Sequence, residues 1–290
     1  MSATDREDFS FQGIGTGWHI STPLPLPHGA RVRLLDRVEK FDGDWSRFRA
    51  DSLVAGLARQ AGRHVFPDEA AALGDLYWRL YRLTGGAMTP LIGGSLERLG
   101  YDAAYSLRAA GPPLPAPAWE SVLTWSGTVL TAGAPVVLDI GAAGKGLLVD
   151  LLAQELAAAG VGGFVIDAGG DLLARGTGPV SVGLEHPYNP AQAIGVVDLE
   201  GRALCASAAN RRAWGDGLHH VLDGTTGQPV RTAVATWALA ETAMVADALA
   251  TALFFVPGDL LQEAFDFSWL TVFSDGSAAY SAEFEGKLFP

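Results

Sequence analysis

Four short segments of this sequence carry residues that could do chemistry together. Residues 246–252 (ADALATA) set Asp247 and Thr251 four positions apart, so on a helix a carboxylate and a hydroxyl share one face. Oxygen-only donors suit a hard cation such as magnesium, which keeps water or substrate phosphate oxygens as further ligands. The alanines between them equally suit a plain core helix in close packing. Residues 139–146 (DIGAAGKG), with Asp150 beyond, follow an apolar run and open a helix-like segment. That is the setting in which free backbone N–H groups bind anions. The glycines at 141, 144 and 146 match neither a Walker loop nor a dinucleotide fingerprint, so a tight structural turn is the alternative. In residues 218–229 (LHHVLDGTTGQP) two histidines are adjacent. Only one can face inward from a strand, and His220 is the candidate general base or ligand contact. In residues 165–172 (VIDAGGDL) a Gly pair between Asp167 and Asp171 suggests a tight turn near the same site; both could instead be solvated turn acids, the plainer reading for Asp167. No G-x-S-x-G elbow occurs, which argues against a serine hydrolase.

Composition narrows the partners. A chain of 290 residues with 49% hydrophobic and 18% charged residues can bury a substantial core. The net charge of -12 disfavours nucleic acid, because phosphate neutralisation needs a basic face. An anionic dinucleotide would need local help from a metal, a lysine or backbone N–H groups. The single cysteine, Cys205, rules out an internal disulfide or a cysteine zinc cluster. The start is polar and acidic, without the basic and apolar regions of a secretory signal. No apolar run is long enough to span a bilayer. A cytoplasmic protein without membrane insertion is the expectation.

The elements that must position these segments follow from periodicity. Residues 1–10 read as a disordered tail, and 11–22 as a strand with a Gly-rich start. Leu53, Leu57 and Val65 look helical, as does 69–83. Residues 111–117 (GPPLPAP) form a Pro-rich linker, read as a surface crossing inside one domain. Residues 128–140 suggest a hairpin running into a loop, then 145–159 a Leu- and Ala-rich helix. Short β-type runs at 163–168, 172–175, 180–184, 193–199, 218–222 and 234–238 come next. A small-residue helix at 241–255 and a hairpin over 269–284 close the chain. Helices first and strands later, without βα alternation, predict an α+β fold.

In this order the four segments resemble the ApbE family of FAD:protein FMN transferases, whose motifs read approximately D-L-G-[GS]-I-A-K-G-x-x-x-D, N-A-G-G-D, H-H-I-x-D-P-x-T-G and A-D-A-x-A-T-A. The N-terminal half agrees more loosely. Residues 14–18 (IGTGW) are similar to the family's M-G-T-x-W, 46–52 (SRFRADS) to S-x-[FY]-x-x-x-S, and 86–90 (GAMTP) to a flavin-contacting G-A-F-D-P. The resemblance spans roughly residues 11–275. It implies an α+β, T-fold-related single domain over 1–290, with a mixed or antiparallel sheet core flanked by helices.

It also implies roles. Magnesium would lie at the Asp247 carboxylate, the Thr251 hydroxyl and a loop carbonyl at Gly144. Ile14, Ala87, Met88, Thr89, Asp139, Lys145, Ser207 and His220 would contact FAD, with Lys145 offsetting phosphate charge. His220 would lie beside the pyrophosphate or assist deprotonation of the acceptor. The implied reaction moves FMN from FAD to a threonine or serine hydroxyl of a separate acceptor flavoprotein, releasing AMP. Departures from the family are Ser207-Ala208-Ala209 for T-S-G, Thr89 for Asp, Ala58 for Asn and Gly224 for Pro. Members are often exported lipoproteins, whereas no lipobox cysteine stands near this start. Two other outcomes in the same fold are a magnesium-dependent FAD pyrophosphatase and a module that holds FAD without turnover.

Overall fold

The structure, a computed structural model, describes residues 7–210 and 212–289. It opens on a hairpin of β1 (Glu7–Gly13) and β2 (Thr16–Thr22), in which alternation buries Trp18 and Ile20. Its two-residue turn, Ile14 and Gly15, has φ of 41° and 79°, the geometry whose twist suits antiparallel strands. Phe9 pairs with Ile20, so residues 7–10 belong to a sheet and not to a disordered tail. The rest of that expected tail, 1–6, lies outside the described residues.

Helix α1 (His28–Trp45) buries Leu34, Val38 and Phe41 at helical spacing. Helix α2 (Leu53–Arg59) is capped by the Ser52 hydroxyl, which accepts from the Ala55 N–H. Val65, expected in a helix, sits in strand β3 (Gly62–Val65) instead. The chain leaves α2 in an extended conformation at Gln60, and Gly62 adopts a φ of 126°, which breaks the helix before Val65. Then come α3 (Ala70–Leu83), α4 (Gly93–Arg98), α5 (Trp119–Val122), β4 (Leu123–Ser126) and β5 (Val129–Ala132), with β3, β5 and β4 forming a small sheet. The crossing at 111–117 has no helix or strand, yet it is pinned. Ala116 N–H donates to Gly224 O and Ser95 Oγ to Leu114 O, each at 2.8 Å.

The second half builds the central layer. Helix α6 (Gly144–Ala158) leads into β6 (Phe164–Asp167), β7 (Asp171–Arg175), β8 (Val180–His186), β9 (Asn189–Leu199) and β10 (Ala203–Ala208). The chain continues through β11 (Ala213–Trp214), β12 (Leu218–His219), β13 (Ala233–Ala240) and α7 (Ala243–Ala252). It ends with α8 (Gly258–Gln262), β14 (Ser268–Phe273), β15 (Ala278–Tyr280) and β16 (Lys287–Leu288). Eight strands form one antiparallel sheet in the order β1-β2-β6-β7-β10-β13-β14-β15.

Both faces of this sheet are covered, as its alternation requires. Ile166, Cys205, Ala238 and Trp269 point to the side of α1, α3, α6 and α7. Their neighbours Val165, Leu204, Leu239 and Leu270 point to the other side, against β8, β9 and Leu288. The predicted α+β class holds, with the difference that helices flank only one face and a second sheet (β16-β9-β8) covers the other. Helix α7 owes its place to alanine. Ala246, Ala248, Ala250 and Ala252 are wholly buried, and their small side chains let α7 lie close to α6, β10 and β13.

Candidate functional site

The four motifs converge on one cavity of about 630 Å³, within the range of small-molecule and cofactor sites. Asp139 stands at its glycine-loop end. Asp139 N–H donates to Pro90 O at 2.7 Å, and Asp139 Oδ1 accepts from Gly141 N–H at 2.7 Å. The loop then turns into α6 through Ile140 O, which accepts from the N–H groups of Ala143 and Gly144. Arg47 Nε donates to Asp139 Oδ2 at 2.5 Å. Burial alone would push the Asp139 carboxyl up. The Arg47 charge and hydrogen bond, the Gly141 N–H and the Arg212 charge outweigh it and hold the group below the usual range. Arg47 itself lies over the rings of Phe48 and Tyr101, at 4.2 and 5.1 Å from their centroids.

Asp247 and Thr251 stand on α7 across the first turn of α6. Asp247 is 2% exposed, and its Oδ2 accepts from Gly146 N–H at 2.9 Å. Lys145 Nζ pairs with Asp171 Oδ2 and lies 3.5 Å from Asp247 Oδ1. Burial and the Asp171 charge push the Asp247 carboxyl up, against the opposing pull of Lys145. Thr251 Oγ1 is 3.2 Å from Ser207 Oγ on β10. Asp150 fixes the helix pair, because its two carboxylate oxygens accept from the N–H groups of Ala243 and Met244, both at 2.9 Å. A carboxylate on those free N–H groups caps the start of α7. Among the described residues no three His, Cys, Asp or Glu side chains converge on a metal position. A cation here would rest on one carboxylate, a hydroxyl and neutral or substrate oxygens, a donor set that fits a hard divalent ion.

The two histidines divide as strand alternation requires. His219 is buried and bonded through Nε2 to Val230 O at 2.8 Å, while His220 lines the cavity. Burial, with the charges of Arg212, His219 and Lys145, lowers His220 from 6.5 to about 3. Its imidazole is therefore neutral, and too weak a base to be matched to proton abstraction near neutral pH. The depressed pKa also has a stability consequence. Below 6.5 the unfolded chain takes a proton that the folded one refuses, so stability falls as the pH drops from 6.5 towards 3. Urea unfolding should show a loss of about 1 kcal/mol between pH ~6.5 and ~5.5 that His220→Gln removes. An identical loss in the variant would mean that His220 is not the group responsible.

The turn after His220 explains two departures from the family pattern together. Gly224 N–H donates to Ala87 O at 2.8 Å, a bond proline could not make. A Cβ at Gly224 would stand 2.6 Å from Thr89 Cγ2 and 2.7 Å from Gly86 O. Thr89 and Gly224 thus fit each other. Thr89 also keeps a capping role, since its Oγ1 accepts from Leu91 N–H at 3.2 Å.

Every residue expected to contact FAD or the cation lines this cavity, whereas Asp150, Asp167 and His219 do not. Ile14 lines it from the β1–β2 turn, and Ala87, Met88 and Thr89 line it from the loop before α4. Asp139, Gly144 and Lys145 come from the glycine loop and α6, Ser207 from β10, and His220, Asp247 and Thr251 complete the wall. Two residues were missed. Arg47 sits at an unconstrained position of the 46–52 segment, and no local signal marks it. Asp171, expected at a turn near the site but given no role there, is wholly buried. Its position heading the apolar run LLA was the available sign that it needs a buried partner.

A central antiparallel sheet with a glycine-loop helix and an alanine helix meeting at one cavity defines a class that comparison identifies. The ApbE family model matches residues 14–266, and the chain belongs to that family. The FAD:protein FMN transferase of Rhodobacter capsulatus is 31% identical over 231 residues, covering 72% of this chain and 42% of that protein. The enzyme of the same name from Treponema pallidum is 29% identical over 267 residues, covering 80% of this chain and 72% of its own length. The chain thus spans less than half of the Rhodobacter relative. The ApbE protein of Thermotoga maritima superimposes with a TM-score of 0.84 at 22% identity, covering 96% of this chain and 98% of that one. Vibrio cholerae flavin transferase ApbE gives 0.79 at 20% identity, covering 96% and 98%. These two likenesses establish the fold. Among the described residues no helix is long and apolar enough to cross a membrane.

Proposed function

We propose that this protein transfers FMN from FAD to a threonine or serine hydroxyl of a separate flavoprotein, releasing AMP, with magnesium held at Asp247 and Thr251. The observation that carries this reading is the meeting, in one cavity, of a buried carboxylate, a hydroxyl, a lysine and the glycine loop. The names of the family relatives point the same way. When bound, magnesium would neutralise charge on the pyrophosphate and hold it for in-line displacement.

The chain's own groups do the rest. Lys145 supplies positive charge beside Asp247. Asp139, held ionised by Arg47, is a fixed acceptor for N–H or O–H groups of FAD. His220, kept neutral, serves as a hydrogen-bond partner beside the pyrophosphate rather than as a base. Gly144 is a weaker candidate for the carbonyl ligand than the sequence suggested. It is the first residue of α6, so its carbonyl lies along the helix axis, directed at the N–H four residues on. The carbonyl of Ala142, just outside the helix on the same cavity wall, is the better donor. The new bond joins the acceptor oxygen to the FMN phosphorus as the bond from that phosphorus to the AMP phosphate oxygen breaks, and the proton of the acceptor hydroxyl passes to solvent or to the departing phosphate.

Incubation with FAD, magnesium chloride and an acceptor flavoprotein tests the reading. AMP should appear only with the acceptor, together with a covalent flavin on it. AMP and FMN without acceptor would identify a pyrophosphatase. Intact FAD throughout would identify a binding module, which Ala208 and Ala209 in place of Ser and Gly would suit.

A further inference from the structure

One buried carboxylate is used by none of these roles. Asp171 opens β7 in the middle of the central sheet, opposite Cys205 of β10, and is wholly buried. Its Oδ2 pairs with Lys145 Nζ, and its Oδ1 has no hydrogen-bond partner among the described residues. An acid so placed would be expelled from a core unless a cation held it there. That cation is Lys145.

The same ammonium also faces Asp247. Of the two Asp247 oxygens, Oδ2 is taken by the Gly146 N–H at 2.9 Å, and Oδ1 lies 3.5 Å from Lys145 Nζ. Oδ1 is the oxygen without a backbone hydrogen bond and so the more open to a cation, and a lysine already stands in front of it. An ammonium and a divalent ion on one oxygen repel strongly in a site shielded from water. Without Asp171, Lys145 would settle on Oδ1 and close it.

We propose that Asp171 is a positioning residue that holds the Lys145 ammonium to one side, keeping Asp247 Oδ1 open to a divalent cation. Lys145 then remains beside the phosphates without competing for the metal ligand. This inference rests on the reading of Asp247 as the cation ligand.

Calorimetric titration with magnesium chloride alone, in the absence of FAD, tests it. Asp171→Asn keeps the side chain's shape and removes its charge, and circular dichroism checks that it folds. Magnesium affinity should fall by about tenfold or more, as Lys145 moves onto Asp247. The double variant Asp171→Asn with Lys145→Met should regain affinity to within about threefold of the wild type, because the competitor is gone. If Asp171 only balances charge for the fold, Asp171→Asn melts earlier while its folded form binds magnesium as the wild type does, and the proposal fails. It fails too if the double variant binds as weakly as the single one. Should Asp171→Asn not fold, Lys145→Met alone decides. Affinity equal to or above wild type supports the proposal, and weaker binding overturns it. A wild-type protein that binds no magnesium would instead remove the cation reading itself, a distinguishable result.

Discussion

Asp247→Asn is expected to abolish the proposed AMP release from FAD while the protein stays folded. The amide keeps the shape of the carboxylate, and its carbonyl oxygen can still accept from Gly146 N–H, the 2.9 Å bond that ties α7 to α6. What is lost is the negative charge at Oδ1, the only charged donor that a cation would find on α7. Loss of metal-assisted charge stabilisation should cost on the order of 10³-fold or more in rate. Asp247→Ala should be equally inactive but also less stable, since a buried Gly146 N–H left without a partner costs about 1–3 kcal/mol. AMP measured by chromatography and a thermal melt separate the two effects. Turnover within about tenfold of wild type in the Asn variant would sink the metal assignment.

The second large effect lies in backbone packing. Gly146→Ala places a Cβ 2.1 Å from Ala243 O and 2.8 Å from Asp247 Cβ. Both obstacles belong to α7, a helix fixed at its start by Asp150, so no flexible side-chain tip can move aside. The helices must separate, at a cost of about 3 kcal/mol and a fall in Tm on the order of 6–10 °C. Because Asp247 is itself one of the colliding residues, FAD turnover should collapse even well below the melting temperature. Gly94→Ala is the control. It lies in α4 with nothing within 4 Å of a new Cβ, and should leave both stability and turnover near wild type. A Gly146→Ala protein that melts with the wild type would show that α6 and α7 do not touch as closely as described.

The site was more legible than the fold around it. Side-chain spacing within one segment is local information. Asp247 with Thr251, and His220 opposite His219, therefore fell where helical and strand periodicity put them. The order of four such segments identified the family. Pairings across the chain left weaker traces. Nothing near Arg47 announces that it will meet Asp139, 92 residues on. Asp171 could be placed at a turn near the site but given no role, because its partner, Lys145, lies on another element. Residues 7–10 looked like a tail because their strand character depends on β2 beside them, whose sequence comes later. Val65 was misassigned for the opposite reason. Its helical spacing from Leu57 was real, but Gly62 had already turned the backbone.

The join between α6 and α7 bears on how the protein is made. Asp150 reaches Ala243 across 93 residues and Gly146 reaches Asp247 across 101, so neither contact can form until α7 has left the ribosome. A nascent chain that ends at β10 already carries Lys145 and Asp171, but not Asp247. The two helices that carry the proposed cation site thus come together late, after β1, β2, β6, β7 and β10 of the central sheet have been made.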